Sequence, residues 1–358
     1  MSESPRAKVW VSQPLFDDVV AQLGEHFELT TTARVTAYSP AELAARLASL
    51  DGALITLNER IGAAEIASAP QLRAIANVGV GYNNLDLDAL SAAGILASNT
   101  PDVLTETTAD LGFALLMATA RRITEAERWL RDGQWGQWSF KTMLGADLHG
   151  STLGILGMGR IGQGIARRGA HGFGMRVLYH NRSQLPATTE QALGAQYVDL
   201  DTLLAQSDHL VLVLPYTRDS HHIIDAAALG KLRPTATLVN IARGGLVDEI
   251  ALADALANGR LAGAGLDVYE GEPAVRPELL ALRNVVLTPH IGSASLATRR
   301  AMVQLAVDNL IAALGKGVNA GHPPSALNAD AVAAAKQGGA RAGEATSTGT
   351  GKTVTTKR

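Results

Sequence analysis

No cysteine occurs anywhere in the chain, so disulfides and thiol chemistry are excluded. Charge of one sign is also lacking. The net charge is −3, which gives no basic balance to suggest nucleic acid. No uncharged apolar run of about 18 residues appears, so no membrane span is expected. The N-terminal text MSESPRAKVW has no apolar h-region, so no secretory signal is visible and a cytoplasmic protein is expected. No fixed-period repeat is evident. No close His/Asp/Glu arrangement has ligand-like context, so no metal set is expected. Aromatic residues are scarce, at 4%. That scarcity makes the loop 133–138, with Trp135 and Trp138, stand out. It either contacts a partner or substrate, or pins a loop to the surface.

What is present points to a dinucleotide. Residues 151–182 read STLGILGMGRIGQGIARRGAHGFGMRVLYHNR. An apolar strand, 153–156, leads into Gly157, Gly159 and Gly162, spaced G-x-G-x-x-G. A helix over 161–170 and a second strand over 175–179 follow. Alone, such a motif is weak in a chain with 36 glycines. Between strand and helix it has a mechanism. Gly157 permits the tight turn, Gly159 clears the approach of a pyrophosphate, and Gly162 lets helix and strand pack closely. The helix N-terminus offers N–H groups to the phosphates.

The second strand ends Tyr179-His180-Asn181-Arg182-Ser183, with no carboxylate to hold a ribose 2′-hydroxyl. Arg182 can pair with a 2′-phosphate, and Asn181 and Ser183 can add neutral hydrogen bonds. NADP(H) is therefore favoured over NAD(H). The plainer alternative is a solvated arginine and an enzyme that uses either cofactor.

At 358 residues, two domains are the natural expectation. Strands and helices alternate through the first 100 residues, an α/β pattern. Strands are expected at 9–11, 28–32, 53–56 and 72–77, with helices at 17–23 and 41–49. The strand at 72–77 runs into the glycine-rich loop Val78-Gly79-Val80-Gly81. Its N–H groups could cradle a carboxylate, or the loop is simply a tight turn. A long helix is expected over 104–131, with Thr105 as a possible N-cap. Later strands are expected at 209–214, 237–241, 263–268 and 285–288. Helices are expected at 200–204, 249–258 and 296–313. From about 329 the composition shifts to Ala, Gly, Thr and Lys, which predicts a disordered tail. GTGTGK-like text there lacks the strand and helix of a P-loop.

Arg243, Glu272 and His290 each follow a predicted strand on the presumed cofactor side. Together they suit reduction of a 2-keto acid. Arg243 supplies a counter-charge for the carboxylate and polarises the carbonyl. His290 supplies the proton. Glu272 orients the ring and would raise its pKa.

NVGVGYNNLD, NTPDVLTETTADLGFALLMATARR, GILGMGRIGQGIARR, NIARGGLVDE, AGAGLDVYEGEP and LTPHIGSAS together resemble the D-isomer-specific 2-hydroxyacid dehydrogenases. The match covers roughly residues 8–328. VLTETTAD, the MGRIG turn and VLYHNR are most similar to the glyoxylate/hydroxypyruvate reductases, the bacterial type that also reduces 2-ketogluconate. The resemblance implies an α/β fold of two Rossmann-like, doubly wound parallel-sheet domains. The substrate domain would come from both chain ends, 1–102 and 293–328, around a dinucleotide domain at 103–292, with a tail at 329–358.

It also implies roles. Arg243, Glu272 and His290 would be catalytic. Val78, Gly79 and Val80 would hold the substrate carboxylate. Asp267 would bind the nicotinamide amide, Arg160 and Ile161 would lie on the pyrophosphate turn, and Thr108, Pro215 and Ala242 would line the cofactor cleft. Leu57-Asn58-Glu59 would border the substrate pocket. A homodimer joined through the cofactor domains is implied. The expected activity is NADPH-dependent reduction of glyoxylate, hydroxypyruvate or 2-ketogluconate. A non-catalytic, dinucleotide-sensing corepressor is the alternative from another class. Oxidation of formate or phosphite ranks third, because the NADP-type strand end favours keto-acid reduction.

Overall fold

Strands that are apolar on both faces and alternate with helices form parallel sheets covered on both sides. The computed structural model describes residues 5–335 and holds two such sheets. One unit takes the chain up to Leu104 and again from Leu296, and the other runs Thr105–Ser295. These changeovers lie slightly beyond the expected 103 and 293.

The first unit has β1 (Lys8–Val11), β2 (Glu28–Thr31), β3 (Gly52–Ile55), β4 (Ala74–Asn77) and β5 (Leu96–Ser98), all parallel, in the order β2-β1-β3-β4-β5. The order reverses beside β1, which makes the sheet doubly wound. Alternation sorts the side chains. Val9, Val11, Leu54 and Ala76 face one way, and Trp10, Ala53, Ile55 and Ile75 the other. The helix Leu296–Ala313 covers the first face through Val303, Val307 and Leu310. Each such buried aliphatic side chain contributes roughly 1.5–3 kcal/mol relative to exposure. The chain's return is therefore anchored by its apolar stripe. Buried Asn309 adds a polar tie, donating to Asn99 O at 3.1 Å and to Ser325 Oγ at 2.8 Å.

Residues 329–335 are helical, and Val332 is buried. The Asn328 side chain accepts from Ala97 N–H at 2.8 Å just before this helix. The expected disordered tail therefore begins too early at 329. Its remainder, 336–358, lies outside the described residues.

The second unit has β6 (Thr152–Leu156), β7 (Arg176–His180), β8 (Ala195–Tyr197), β9 (His209–Leu212), β10 (Thr237–Asn240), β11 (Gly263–Leu266) and β12 (Val285–Leu287). All are parallel, in the order β12-β11-β10-β9-β6-β7-β8. The reversal falls between β6 and β9. Among the described residues, no helix is long and apolar enough to cross a membrane.

Two helix expectations need correction. The long helix over 104–131 is two helices, Thr105–Ala120 and Ile123–Arg131. Arg122 is left-handed at φ 54°, and Ala120 O accepts from Ala146 N–H at 2.8 Å rather than continuing the ladder. Arg122 also grips Glu125 through Nε and Nη2 at 2.8 and 2.9 Å. Thr105 is the first helical residue, not a cap. The second correction concerns 161–170, where the α-helix is Arg160–Arg167 and a π-turn, Arg168–Gly172, follows.

Candidate active site

The second unit gathers the expected chemistry at the carboxyl ends of β6, β10, β11 and β12. Gly157 is left-handed at φ 104°, and a Cβ there would lie 2.5 Å from Leu214 N. A Cβ at Gly162 would lie 2.4 Å from Gly157 O, so turn and helix are in contact. A Cβ at Gly159 would meet nothing within 4 Å. These three positions therefore divide as the fingerprint requires: one tight turn, one close packing and one open approach. Gly159 precedes the helix carrying Arg160 and Ile161 and caps it without a side chain. This open cradle fits a dinucleotide pyrophosphate.

At the end of β7, Arg182 and Ser183 are exposed. No carboxylate faces Arg182 among the described ion pairs. Asn181 does more than expected: its Oδ1 accepts from Met158 N–H at 2.7 Å, inside the glycine turn. That bond orients the amide so that its –NH2 remains a donor.

His290 and Glu272 meet directly, Nδ1 to Oε2 at 2.7 Å. Glu272 Oε1 accepts from Tyr269 N–H at 2.9 Å, so both carboxylate oxygens are engaged. Burial pushes the Glu272 carboxyl up. The His290 bond and charge, Tyr269 N–H and Arg243 outweigh it, and the group ends below the ordinary glutamate range. An ionised Glu272 fixes the proton on Nδ1 and leaves His290 Nε2 as the ring's outward atom. The His290 backbone is left-handed at φ 51°, and its N–H reaches Asp267 O at 2.9 Å.

Asp267 is buried, and burial raises its pKa against the pull of Thr288 and the Ile291 and Gly292 amides. Its carboxylate accepts from Thr288 Oγ1 at 2.6 Å and from the Ile291 and Gly292 N–H groups at 2.8 Å each. Thr108 is buried against Gly292. Asp267 therefore ties the His290 loop to β11, a bracing role that sequence reasoning did not assign.

Arg243 follows β10. Burial lowers its pKa, and the charge of Glu272 opposes that. Its Nη1 donates to Ala242 O at 2.6 Å. Asn240 sets the turn: its Nδ2 donates to Arg243 O at 2.8 Å, and its Oδ1 accepts from Ala242 N–H at 3.0 Å. Asn240 and Tyr269 were missed, although each lies inside a motif already singled out. Pro215 sits three residues past the end of β9.

The first unit holds the loop after β4. Gly79 O accepts from Thr100 N–H at 2.9 Å. Val80 O accepts from Asn99 Nδ2 at 2.8 Å, and Gly81 O from Asn77 Nδ2 at 3.0 Å. These three carbonyls are thus taken, and so are two of the expected donors: Val78 N–H bonds Ile55 O at 2.8 Å and Gly79 N–H bonds Asn77 O at 3.0 Å, whereas the Val80 and Gly81 N–H groups find no acceptor among the described residues. Glu59 is buried and accepts from Ser12 Oγ at 2.6 Å and Thr56 N–H at 2.8 Å. It braces this edge of the sheet.

One further cluster was not foreseen. His221, His222 and Glu270 place ligand-type atoms within 4.8 Å of one another, although Glu270 is distant in sequence. A long-range trio of this kind is invisible to spacing rules.

Comparison with known proteins places the chain in a family. Residues 113–292 match the family described as "D-isomer specific 2-hydroxyacid dehydrogenase, NAD binding domain". The chain belongs to the D-isomer-specific 2-hydroxyacid dehydrogenases, an oxidoreductase family. Within it, the chain is of the glyoxylate/hydroxypyruvate reductase type. It is 44% identical to the glyoxylate reductase of Thermococcus onnurineus over 337 residues, which cover 93% of this chain and 99% of the relative. It is 43% identical to glyoxylate/hydroxypyruvate reductase B of Klebsiella pneumoniae, covering 87% of this chain and 97% of that one. Among solved structures, the NADPH-dependent glyoxylate/hydroxypyruvate reductase of Sinorhizobium meliloti, in complex with NADP and malonate, superposes with a TM-score of 0.79 at 37% identity. That match covers 90% of this chain and 97% of the other.

Proposed function

We propose that this chain reduces glyoxylate and hydroxypyruvate to the corresponding 2-hydroxy acids, with NADPH as its preferred reductant and 2-ketogluconate as a further substrate. The observation that carries the reading is the His290–Glu272 pair at 2.7 Å, with half-buried Arg243 close enough for its charge to act on Glu272, in the unit that holds the open glycine cradle. When bound, NADPH supplies the hydride that lands on C2 of the keto acid.

The chain's own residues supply the rest. Arg243 binds the carboxylate and draws electron density toward the carbonyl oxygen. His290 Nε2 delivers the proton to that oxygen. Glu272, held ionised, keeps the ring oriented and stabilises its charged form before transfer. In the Val78–Val80 loop, Val80 N–H, with the neighbouring Gly81 N–H, serves as a further holder of the substrate carboxylate, while Val78 and Gly79 shape the turn through their bonds to Ile55 O and Asn77 O. Thr108, Gly157, Gly159, Arg160, Ile161, Gly162, Pro215 and Ala242 serve the cofactor, and Asp267 takes the nicotinamide amide. Arg182, with Asn181 and Ser183, takes the 2′-phosphate, which supports NADPH over NADH. The reductase names of the relatives weigh against a non-catalytic sensing role.

Initial rates with NADPH and NADH on glyoxylate, hydroxypyruvate and 2-ketogluconate test the reading. Turnover with an NADPH preference is expected. His290→Ala should lower kcat by roughly 10²–10⁴ while NADPH still binds. Firm NADPH binding without turnover of any acid would favour the sensing protein instead.

A homodimer is part of the same proposal. It is supported by Leu130, Trp135, Trp138, Phe140 and Leu144, large apolar side chains exposed along one stretch of the second unit. Light scattering should give the mass of two chains. The mass of one would remove this part of the proposal.

A further inference from the structure

The His222–Glu270 contact lies outside the roles assigned so far. Both rings of the histidine pair are engaged. His222 Nε2 meets Glu270 Oε2 at 3.0 Å, and His221 Nδ1 meets Tyr216 Oη at 3.2 Å. The rings stack at 3.8 Å between centroids. Through these contacts the pair bears on the segment directly after Arg243.

Gly244 lies against the Tyr269–Glu270 peptide so closely that a Cβ would sit 1.8 Å from Tyr269 C and 2.1 Å from Glu270 N. A Cβ at Gly245 would sit 2.9 Å from the Tyr216 ring. The strap Gly244–Gly245 is thus enclosed between two other segments. His222 spans both sides: its N–H donates to Gly245 O at 2.9 Å, and its ring holds Glu270. Glu270 N–H in turn donates to buried Glu249 Oε1 at 2.7 Å, on the helix that follows the strap. The circuit closes from Gly245 through His222, Glu270 and Glu249 back to the strap. The His222 backbone is left-handed at φ 52°, an uncommon conformation kept where surroundings over-determine it. Two residues beyond Glu270 stands Glu272, which holds His290.

We infer that His222 and Glu270 are positioning residues for Arg243, their side-chain bond closing a ring of contacts around Gly244–Gly245 that fixes where the guanidinium is held. The inference rests on Arg243 acting on the keto acid.

A double-mutant cycle tests it, with full-length enzyme, NADPH and glyoxylate. His222→Asn suits the left-handed backbone but falls short of Glu270, and Glu270→Ala removes the other partner. Each should lower kcat roughly tenfold and raise the glyoxylate KM, as loosened orientation does, with the NADPH Kd and melting temperature held. The double variant should be no worse than either single, because both break one bond. Glu270→Gln, which keeps a hydrogen-bonding partner, should retain most activity. Wild-type rates in both single variants, losses that multiply in the double, or equal losses in NADPH affinity would overturn the positioning role. Arg243→Ala separates the levels. An active Arg243→Ala variant defeats the proposed function itself. An inactive one beside a fully active Glu270→Ala variant defeats only the positioning role.

Discussion

Two glycine-rich turns follow parallel strands in this molecule, and they solve the same problem differently. The turn after β6 feeds straight into a helix, so its donors come with the helix and the glycines only clear space. The turn after β4 has no helix at its tip. Asn77, Asn99 and the Thr100 amide take its carbonyls, which leaves the Val80 and Gly81 N–H groups without an acceptor among the described residues. One anion site is made by secondary structure, the other by side chains. The first should fail when backbone space is filled. The second should fail when its asparagines are removed.

The largest effect is expected at Gly157. An alanine there meets both a left-handed backbone and Leu214 N at 2.5 Å, and neither is the end of a flexible side chain. Gly157→Ala should raise the NADPH Kd by more than roughly 100-fold, as backbone strain and clash together cost several kcal/mol. Titration of nicotinamide fluorescence measures it. At Gly79 the added Cβ presses on the Leu57 side chain, Cδ2 at 2.8 Å and Cγ at 3.2 Å, which can move, and meets backbone only as an ordinary contact with Gly81 O at 3.6 Å. If Gly79→Ala lost the cofactor equally, the two turns would not be separate sites.

Arg182 comes next. Charge-assisted bonds to a phosphate are worth about 1.5–3 kcal/mol, so Arg182→Ala should weaken NADPH by roughly 10- to 100-fold. The same titration with NADH should show almost no change. Equal losses for both would remove the 2′-phosphate role and leave Arg182 a solvated side chain.

The two turns were not equally legible in the sequence. The β6 turn announces itself because its function sits in the order of glycines between a strand and a helix. Arg243, Glu272 and His290 were visible for a related reason, each trailing an apolar run. Asn77 and Asn84 lie in plain text beside the β4 loop, yet nothing in their spacing says that Asn84 Nδ2 reaches Asn77 Oδ1 at 3.1 Å and Thr56 O at 3.1 Å. The same limit hid the His222–Glu270 contact. The break at Arg122 escaped too, because the periodicity runs on through it while a tertiary partner, Ala146, ends the ladder. At the far end, composition suggested a tail from 329, but Val332 is buried in a helical turn. Composition averages over a window and cannot see one anchoring side chain.

The smallest predicted effect bears most directly on the comparison. Asn77 is fully buried, and its amide links Gly81 O on one side to Asn84 on the other. Asn77→Ala leaves Gly81 O without its side-chain donor, a cost of about 1–3 kcal/mol when no water replaces it, while Asn84 Nδ2 keeps Thr56 O and Glu59 O. Part of that cost appears as stability. The part that matters here is freedom of the Gly81 peptide to rotate, which mixes carbonyl character into a surface that now offers only donors. A carbonyl oxygen repels a carboxylate, whereas an N–H attracts it. The KM for glyoxylate should therefore rise by about 3- to 10-fold at an unchanged NADPH Kd, with a modest fall in melting temperature. Steady-state kinetics beside a fluorescence titration separates the two. If KM holds while the melting temperature falls, the asparagines are structural braces. The Val80 and Gly81 N–H groups would then be a by-product of a tight turn and not a substrate site.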